Sequence, residues 1–256
     1  MKKIKKGLLT IIMMTFCIIL WKPVTVAAAE KTIGNLVLMV DFADDSKKFS
    51  TKYKGCEEVY TSQPLYGVHA YISAIYDGKV QINSFFPQDT GNSFVSITLP
   101  GKSTDYTKEQ EAIFIGNVVP AVNNLVDQGT INSITSGLDS GNREGYIDNV
   151  TFLVQVESAP DKTLPFYPHK QDVGAGTWKL FGKDVVVYNI VPSSSLWVND
   201  EGRYDGWGYS TVSHELLHSL GAPDLYRTNG DKGEPVGIWD HMAATATPAN
   251  YPLVYT

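Results

Sequence analysis

Residues 213–226 read SHELLHSLGAPDLY. His214 and His218 stand four apart, so on a helix their imidazoles lie one turn apart on the same face, close enough to ligate one ion. Imidazole nitrogen suits zinc, and Glu215, beside the first histidine, is placed to act as a general base instead of a ligand. Bound zinc would lower the pKa of a water toward about 7 and polarise a scissile carbonyl. Together these residues predict peptide-bond hydrolysis at neutral pH. The helix is expected over 209–220, with Val212, Leu216, Leu217 and Leu220 turned to the core and Ser210 as its N-cap. Gly221 is placed to end it, because glycine enters the left-handed conformation at little cost. Past that stop Asp224, ten residues after His214, can swing back as a third ligand, its return stiffened by Pro223. The bland alternative is an amphipathic helix with two satisfied surface histidines.

The elements that must position these groups are legible as alternating patterns. Residues 35–42, NLVLMVDF, form the nearly continuous apolar run of a strand buried on both faces. A helix is expected over 65–76, ended by Asp77-Gly78, followed by strands at 79–85 and 93–99. A second helix is expected over 107–127, with Thr107 able to cap it and Pro120 kinking or splitting it. Residues 149–156 and 184–190, rich in β-branched side chains, read as further strands. The order predicts one α/β (α+β) domain with a central twisted sheet and an active-site helix.

Composition bounds the setting. The 256-residue chain is 43% apolar and 19% charged, as folded soluble proteins are. It opens with four lysines, an apolar run over 7–20 and Ala27-Ala28-Ala29, the pattern of a signal peptide spanning 1–29 and cleaved after Ala29. That apolar run is shorter than the roughly 20 residues a spanning helix needs, so a secreted protein without stable membrane insertion is expected. The region from 30 to 256 carries 16 basic and 27 acidic residues, a formal charge of −11, which argues against nucleic acid as a partner. Cys56 is the one cysteine after Ala29, so no disulfide within the chain is expected there.

The pattern HExxHxLGxPDLY, followed by GEPVGIWDHMA at 233–243, resembles the immune inhibitor A family of secreted bacterial metallopeptidases, within the metzincin-like group. LVLMVDFAD at 36–44, LYGVHAYISAIYDGKVQI at 65–82, TLPGKSTDYT at 98–107 and DSGNREGYIDNVTFLV at 139–154 are similar in order. The resemblance implies a metzincin-like fold over 30–256, His214 and His218 as zinc ligands, Glu215 as the catalytic base and Met242 in a supporting methionine turn. It leaves the third ligand open between Asp224, which fits the spacing, and Glu234, a carboxylate between the motif and the turn. Protein or peptide substrates and a monomeric state are implied. The family carries a propeptide, for which the first strand leaves no room, and further sequence after the turn, whereas residue 256 lies 14 positions beyond Met242. The catalytic domain, 30–256, is therefore expected to be a fragment or a product truncated at its C-terminus.

Weaker signals remain. Asp139, Asn142, Glu144 and Asp148 surround glycines as in a Ca²⁺ loop, but the spacing is not that of an EF-hand and a solvated acidic turn is favoured. His169 and His241 read as structural or surface histidines, and Cys56 as a lone thiol that is no nucleophile. Tyr226, Tyr251 and Tyr255 are candidates for a phenol that donates to an oxyanion. The leading expectation is a secreted zinc endopeptidase. Its rivals are a catalytically impaired, peptidase-like binding or surface protein with a structural metal, and a metal-dependent hydrolase of non-peptide substrates.

Overall fold

The structure, a computed structural model, describes residues 29–63, 66–140, 144–156, 166–227, 236 and 240–243. The signal-peptide region before Ala29, and Asn142, Glu234, Tyr251 and Tyr255, lie outside the described residues.

The longest strand, β1 (Lys31–Phe42), is buried over its last ten residues. It is followed by helices α1 (Tyr53–Thr61) and α2 (Val68–Ile75), strands β2 (Val80–Phe85) and β3 (Ser96–Leu99), and helix α3 (Glu111–Asp127). Then come β4 (Tyr146–Ile147), β5 (Asn149–Val154), β6 (His169–Asp172), β7 (Lys179–Leu180), β8 (Lys183–Val185), β9 (Val187–Pro192) and helix α4 (Tyr209–Ser219). This is an α/β fold. The main sheet runs β2-β1-β5-β9-β6, with β3 pairing the second half of β1. All its pairings are parallel except the antiparallel edge strand β6. Parallel neighbours need long crossovers, supplied by helices on the way from β1 to β2 and to β5, and by a path through β6, β7 and β8 between β5 and β9. Strands β4, β8 and β7 make a separate small sheet.

Side-chain alternation along β1 divides the core. Leu36, Leu38, Val40 and Phe42 join Phe114, Ile115, Val118 and Val122 of α3 on one face. Val37 and Met39 join α1, α2 and α4 on the other. Into this second layer the strands also send a polar ladder. The Asn149 side-chain amide donates to Asn35 Oδ1 and Asn189 Oδ1, each at 2.7 Å, and Thr151 Oγ1 donates to Asn35 Oδ1 at 2.9 Å. Asn189 Nδ2 donates in turn to the Glu215 carbonyl at 2.9 Å, and Ser219 Oγ donates to Asn149 Oδ1 at 2.8 Å. Buried amides bind only where every partner is met, so the ladder fixes the position of α4 over the sheet.

Several sequence expectations are corrected. The run 184–190 is not one strand: the chain changes sheets at Val186, whose carbonyl accepts from the Val173 amide, and β8 and β9 bury their valines in different places. Of the two expected effects of Pro120, splitting does not occur: α3 runs continuously past it, with the proline exposed. Ser210 is not the N-cap of α4. That position is Gly208, where a Cβ would meet the Leu196 carbonyl oxygen at 1.8 Å, and Ser210 is buried at the second position of the helix. Helix α1 was not foreseen.

Candidate metal centre

Helix α4 presents His214 and His218 on one face, backed by Val212, Leu216 and Leu217 in the core. It ends as the glycine predicted. Gly221 takes φ 99°, its amide donates to the His218 carbonyl at 2.9 Å, and the Ala222 amide donates to the Leu217 carbonyl at 3.0 Å. These paired bonds form a Schellman stop, which turns the chain back toward the histidines. Nothing would touch a Cβ on Gly221, so Gly221→Ala imposes backbone strain alone. The variant is expected to lose about 1 kcal/mol of stability in urea unfolding.

The reversal carries Asp224 to the histidine pair. His214 Nε2, His218 Nε2 and Asp224 Oδ1 form a triangle with all three edges at 3.2 Å. Metal bonds of about 2.0–2.1 Å in tetrahedral geometry separate ligand atoms by about 3.3 Å, so one zinc-sized ion fits this triangle. Asp224 Oδ1 is buried with no hydrogen-bond partner, an orphan that a cation would satisfy. Each histidine's other nitrogen faces a carbonyl. His214 Nδ1 lies 3.1 Å from the His241 carbonyl oxygen, and His218 Nδ1 lies 2.8 Å from that of Ala222. Donation to those carbonyls fixes the tautomer that leaves both Nε2 lone pairs for a metal. Burial holds the His214 pKa below its usual value, which favours the neutral form a ligand needs.

Around the triangle lies a cleft of about 480 Å³, lined also by Glu215, His169 and Tyr226. Glu215 is 5% exposed, and burial pushes its carboxyl up to about 8 despite the opposing field of His169. Tyr226 stacks on His214 with centroids 6.4 Å apart and remains 37% exposed. Residues 240–243 form the turn carrying Met242, which is buried with α4 residues in the second core layer. The Met242 amide donates to Asp240 Oδ1 at 2.8 Å, and its carbonyl accepts from the Leu225 amide at 3.0 Å. This turn therefore ties the segment after Asp224 to the His241 carbonyl that orients His214. A scan against protein-family models finds no match to this chain, and a search of curated proteins finds none either.

The weaker sequence signals sort differently. His241 is structural: its Nε2 meets the Ser210 carbonyl at 2.8 Å, and burial lowers its pKa to about 4. Cys56 is fully buried, with its thiol pushed up to about 12. Both aspartates of the acidic loop are spent on protein donors. Asp148 Oδ2 accepts from the Gly34 and Ser140 amides, each at 2.9 Å, Asp139 pairs with Lys183, and Glu144 is exposed. Among the described residues, the group of three or more ligand side chains is His214, His218 and Asp224, and the acidic loop does not form another.

His169, expected from the sequence to be structural or at the surface, lines the cleft. Its Nε2 lies 3.0 Å from Glu111 Oε2 and its Nδ1 2.7 Å from the Tyr167 carbonyl oxygen. Both partners are acceptors, so the setting favours the imidazolium form, in which both ring nitrogens donate. Tyr188 donates to the other Glu111 oxygen. Burial opposes the charged imidazole, but Glu111 and the Tyr167 carbonyl outweigh it and the His169 pKa is raised. Burial likewise opposes the Glu111 carboxylate, and His169 and Tyr188 outweigh it to lower that pKa. A histidine raised above 6.5 stabilises below that pH and loses the contribution as pH rises through its folded value. A glutamate lowered below 4.5 stabilises above that pH and loses the contribution on acidification. Both terms are present between 4.5 and 6.5. Urea unfolding of Glu111→Gln is therefore expected to show its largest deficit, about 1 kcal/mol, near pH 5.5, shrinking at alkaline pH.

Proposed function

We propose that this chain is a secreted zinc-dependent endopeptidase similar to the immune inhibitor A group. The observation that carries the reading is the 3.2 Å triangle of His214, His218 and Asp224, with Glu215 buried beside it in one cleft. A purely structural zinc is usually closed by a fourth protein ligand and has no use for a base. Zinc, when bound, would polarise the scissile carbonyl and make the attacking water acidic.

The chain's own residues supply the rest. Glu215 takes the proton of the attacking water and returns it to the leaving amine nitrogen. The phenol of Tyr226, at the cleft and partly exposed, is the described candidate to donate to the tetrahedral oxyanion. Strand β6 ends the main sheet, and His169 and Lys170 at its start line the cleft. An extended peptide can follow such an edge by main-chain hydrogen bonds, bringing a carbonyl to the metal side chains.

The test is metal analysis and casein hydrolysis on the protein purified from the culture medium. One zinc per chain, with hydrolysis lost to a chelator and restored by zinc, is expected. Zinc without hydrolysis would favour the binding-protein alternative, and a folded, metal-replete sample holding no zinc would overturn the reading.

A further inference from the structure

A second cavity, of about 640 Å³, opens at the carboxyl edge of the main sheet. Gln155 directly follows β5, Ser193 directly follows β9 and Lys52 lies beyond the end of β1, and all three line it. From β1 the chain goes to β2 and β3 on one side, with α1 and α2 on one face of the sheet. It then crosses by α3, on the opposite face, to β5 on the other side of β1. The winding thus reverses between β1 and β5. In open α/β sheets the crevice outside the carboxyl ends at such a reversal is where ligands bind. Among the described residues, none that lines this cavity lines the metal cleft.

Three features indicate what it is built to hold. Lys52 Nζ lies 3.1 Å from Asp200 Oδ1, and Lys47 Nζ lies 3.6 Å from Asp200 Oδ2. Two ammonium groups share one carboxylate, so this wall keeps a net positive charge. The Lys52 side chain is only 8% exposed, which weakens screening of that charge by solvent. Gln155 is 1% exposed, and its side-chain amide donates to the Val156 carbonyl, while its Oε1 is buried without a hydrogen-bond partner. Such an acceptor calls for a donor from a ligand. Trp197 adopts φ 51°, in the left-handed region, and leaves its indole 40% exposed. That conformation closes the short 3-10 helix Ser193–Leu196, whose C-cap is Trp197, and the exposed ring offers the cavity an apolar face.

The matching ligand carries one anionic group, a hydrogen-bond donor close to it and an apolar side chain. Arg203 and Asp205, also in the lining, offset one another, so the lining keeps one net positive charge and matches a single anionic group. We propose that this cavity binds the free carboxyl end of a short peptide. The carboxylate meets Lys47 and Lys52, a backbone N–H satisfies Gln155 Oε1, and a side chain lies against Trp197. Binding here is independent of whether the metal cleft cuts peptides, so the two readings can fail separately.

The experiment is calorimetric titration of the Glu215→Ala protein, which leaves the probe intact, with N-acetyl-Ala-Ala-Leu as the free acid and as its amide. The acid is expected to bind about tenfold or more tighter than the amide, reflecting loss of a charge-assisted contact. Lys47→Ala and Trp197→Gly, introduced into the same protein, are each expected to weaken acid binding at least about threefold without changing zinc content. Folding is not at issue for either: Lys47 is half-exposed, and glycine favours the conformation Trp197 holds. Equal affinity for acid and amide, indifference to both substitutions, no heat at millimolar peptide, or preference for a neutral oligosaccharide would each overturn the proposal.

Discussion

Glu215→Gln is expected to lower casein hydrolysis by about a thousandfold or more while zinc remains bound at one per chain. General acid–base catalysis by a placed side chain is worth about 10²–10⁴ in rate, and glutamine keeps the shape of glutamate without its basicity. The triangle of His214, His218 and Asp224 does not include residue 215, so metal content should not follow activity. A second readout separates lost chemistry from lost structure. In the metal-free protein burial raises Glu215 from 4.5 to about 8, so the native state binds this proton more tightly than the unfolded chain does. Stability contributed by the protonated form is full below 4.5 and declines as pH rises toward 8. The neutral glutamine escapes that decline. Metal-free Glu215→Gln should therefore unfold at higher urea than metal-free wild type at pH 8, by on the order of a few kcal/mol, with the gap closing at pH 5. A variant that is inactive and also less stable at pH 8 would mean that the substitution damaged the site, and the role of base would lose its support.

What the sequence disclosed was what local spacing controls. The interval from His214 to His218, the glycine at 221 and the aspartate at 224 each act within one helix and its stop, so their geometry followed from helix period and left-handed φ alone. The two-sided burial of 35–42 was equally legible, although β1 begins earlier, at Lys31, because β2 pairs with its first residues. Tertiary pairing governed the rest. Helix α1, YKGCEEVYT, has a glycine inside it and no long apolar stripe; a Cβ on Gly55 would meet the Gly202 carbonyl oxygen at 2.6 Å, a contact invisible in local pattern. The VVVYNI run looked like one strand because both halves are buried, and only their different partners divide them. His169 looked ordinary because Glu111 and Tyr188, which hold its charge, come from a distant helix and strand. The Asn35–Asn149–Asn189 ladder was hidden the same way. Each asparagine resembles an imperfection in an apolar strand, yet together they hold the carbonyl of the proposed catalytic residue.

The third ligand, left open by spacing between Asp224 and Glu234, is the point at which substitution should have its largest effect on metal. Asp224→Ala is expected to weaken zinc binding by at least about 100-fold in competition with a chromogenic chelator. Removing even a partner that only orients a ligand costs about 10–100-fold, and a direct donor contributes more. Glu234→Ala is expected to leave the affinity within a few-fold of wild type. The reason lies in the triangle: with Asp224 Oδ1 already 3.2 Å from both imidazole nitrogens, the remaining position of a tetrahedral ion is left for water and substrate. The same oxygen explains a second expected result. Buried and without a hydrogen-bond partner, it destabilises the protein until a cation arrives, by about 1–3 kcal/mol. Metal-free Asp224→Ala should consequently be no less stable than metal-free wild type, while zinc should raise the melting temperature of wild type alone. If Glu234→Ala abolished zinc binding and Asp224→Ala did not, Asp224 would be reassigned as a neighbour of the histidines and the cleft would have to close differently around the ion.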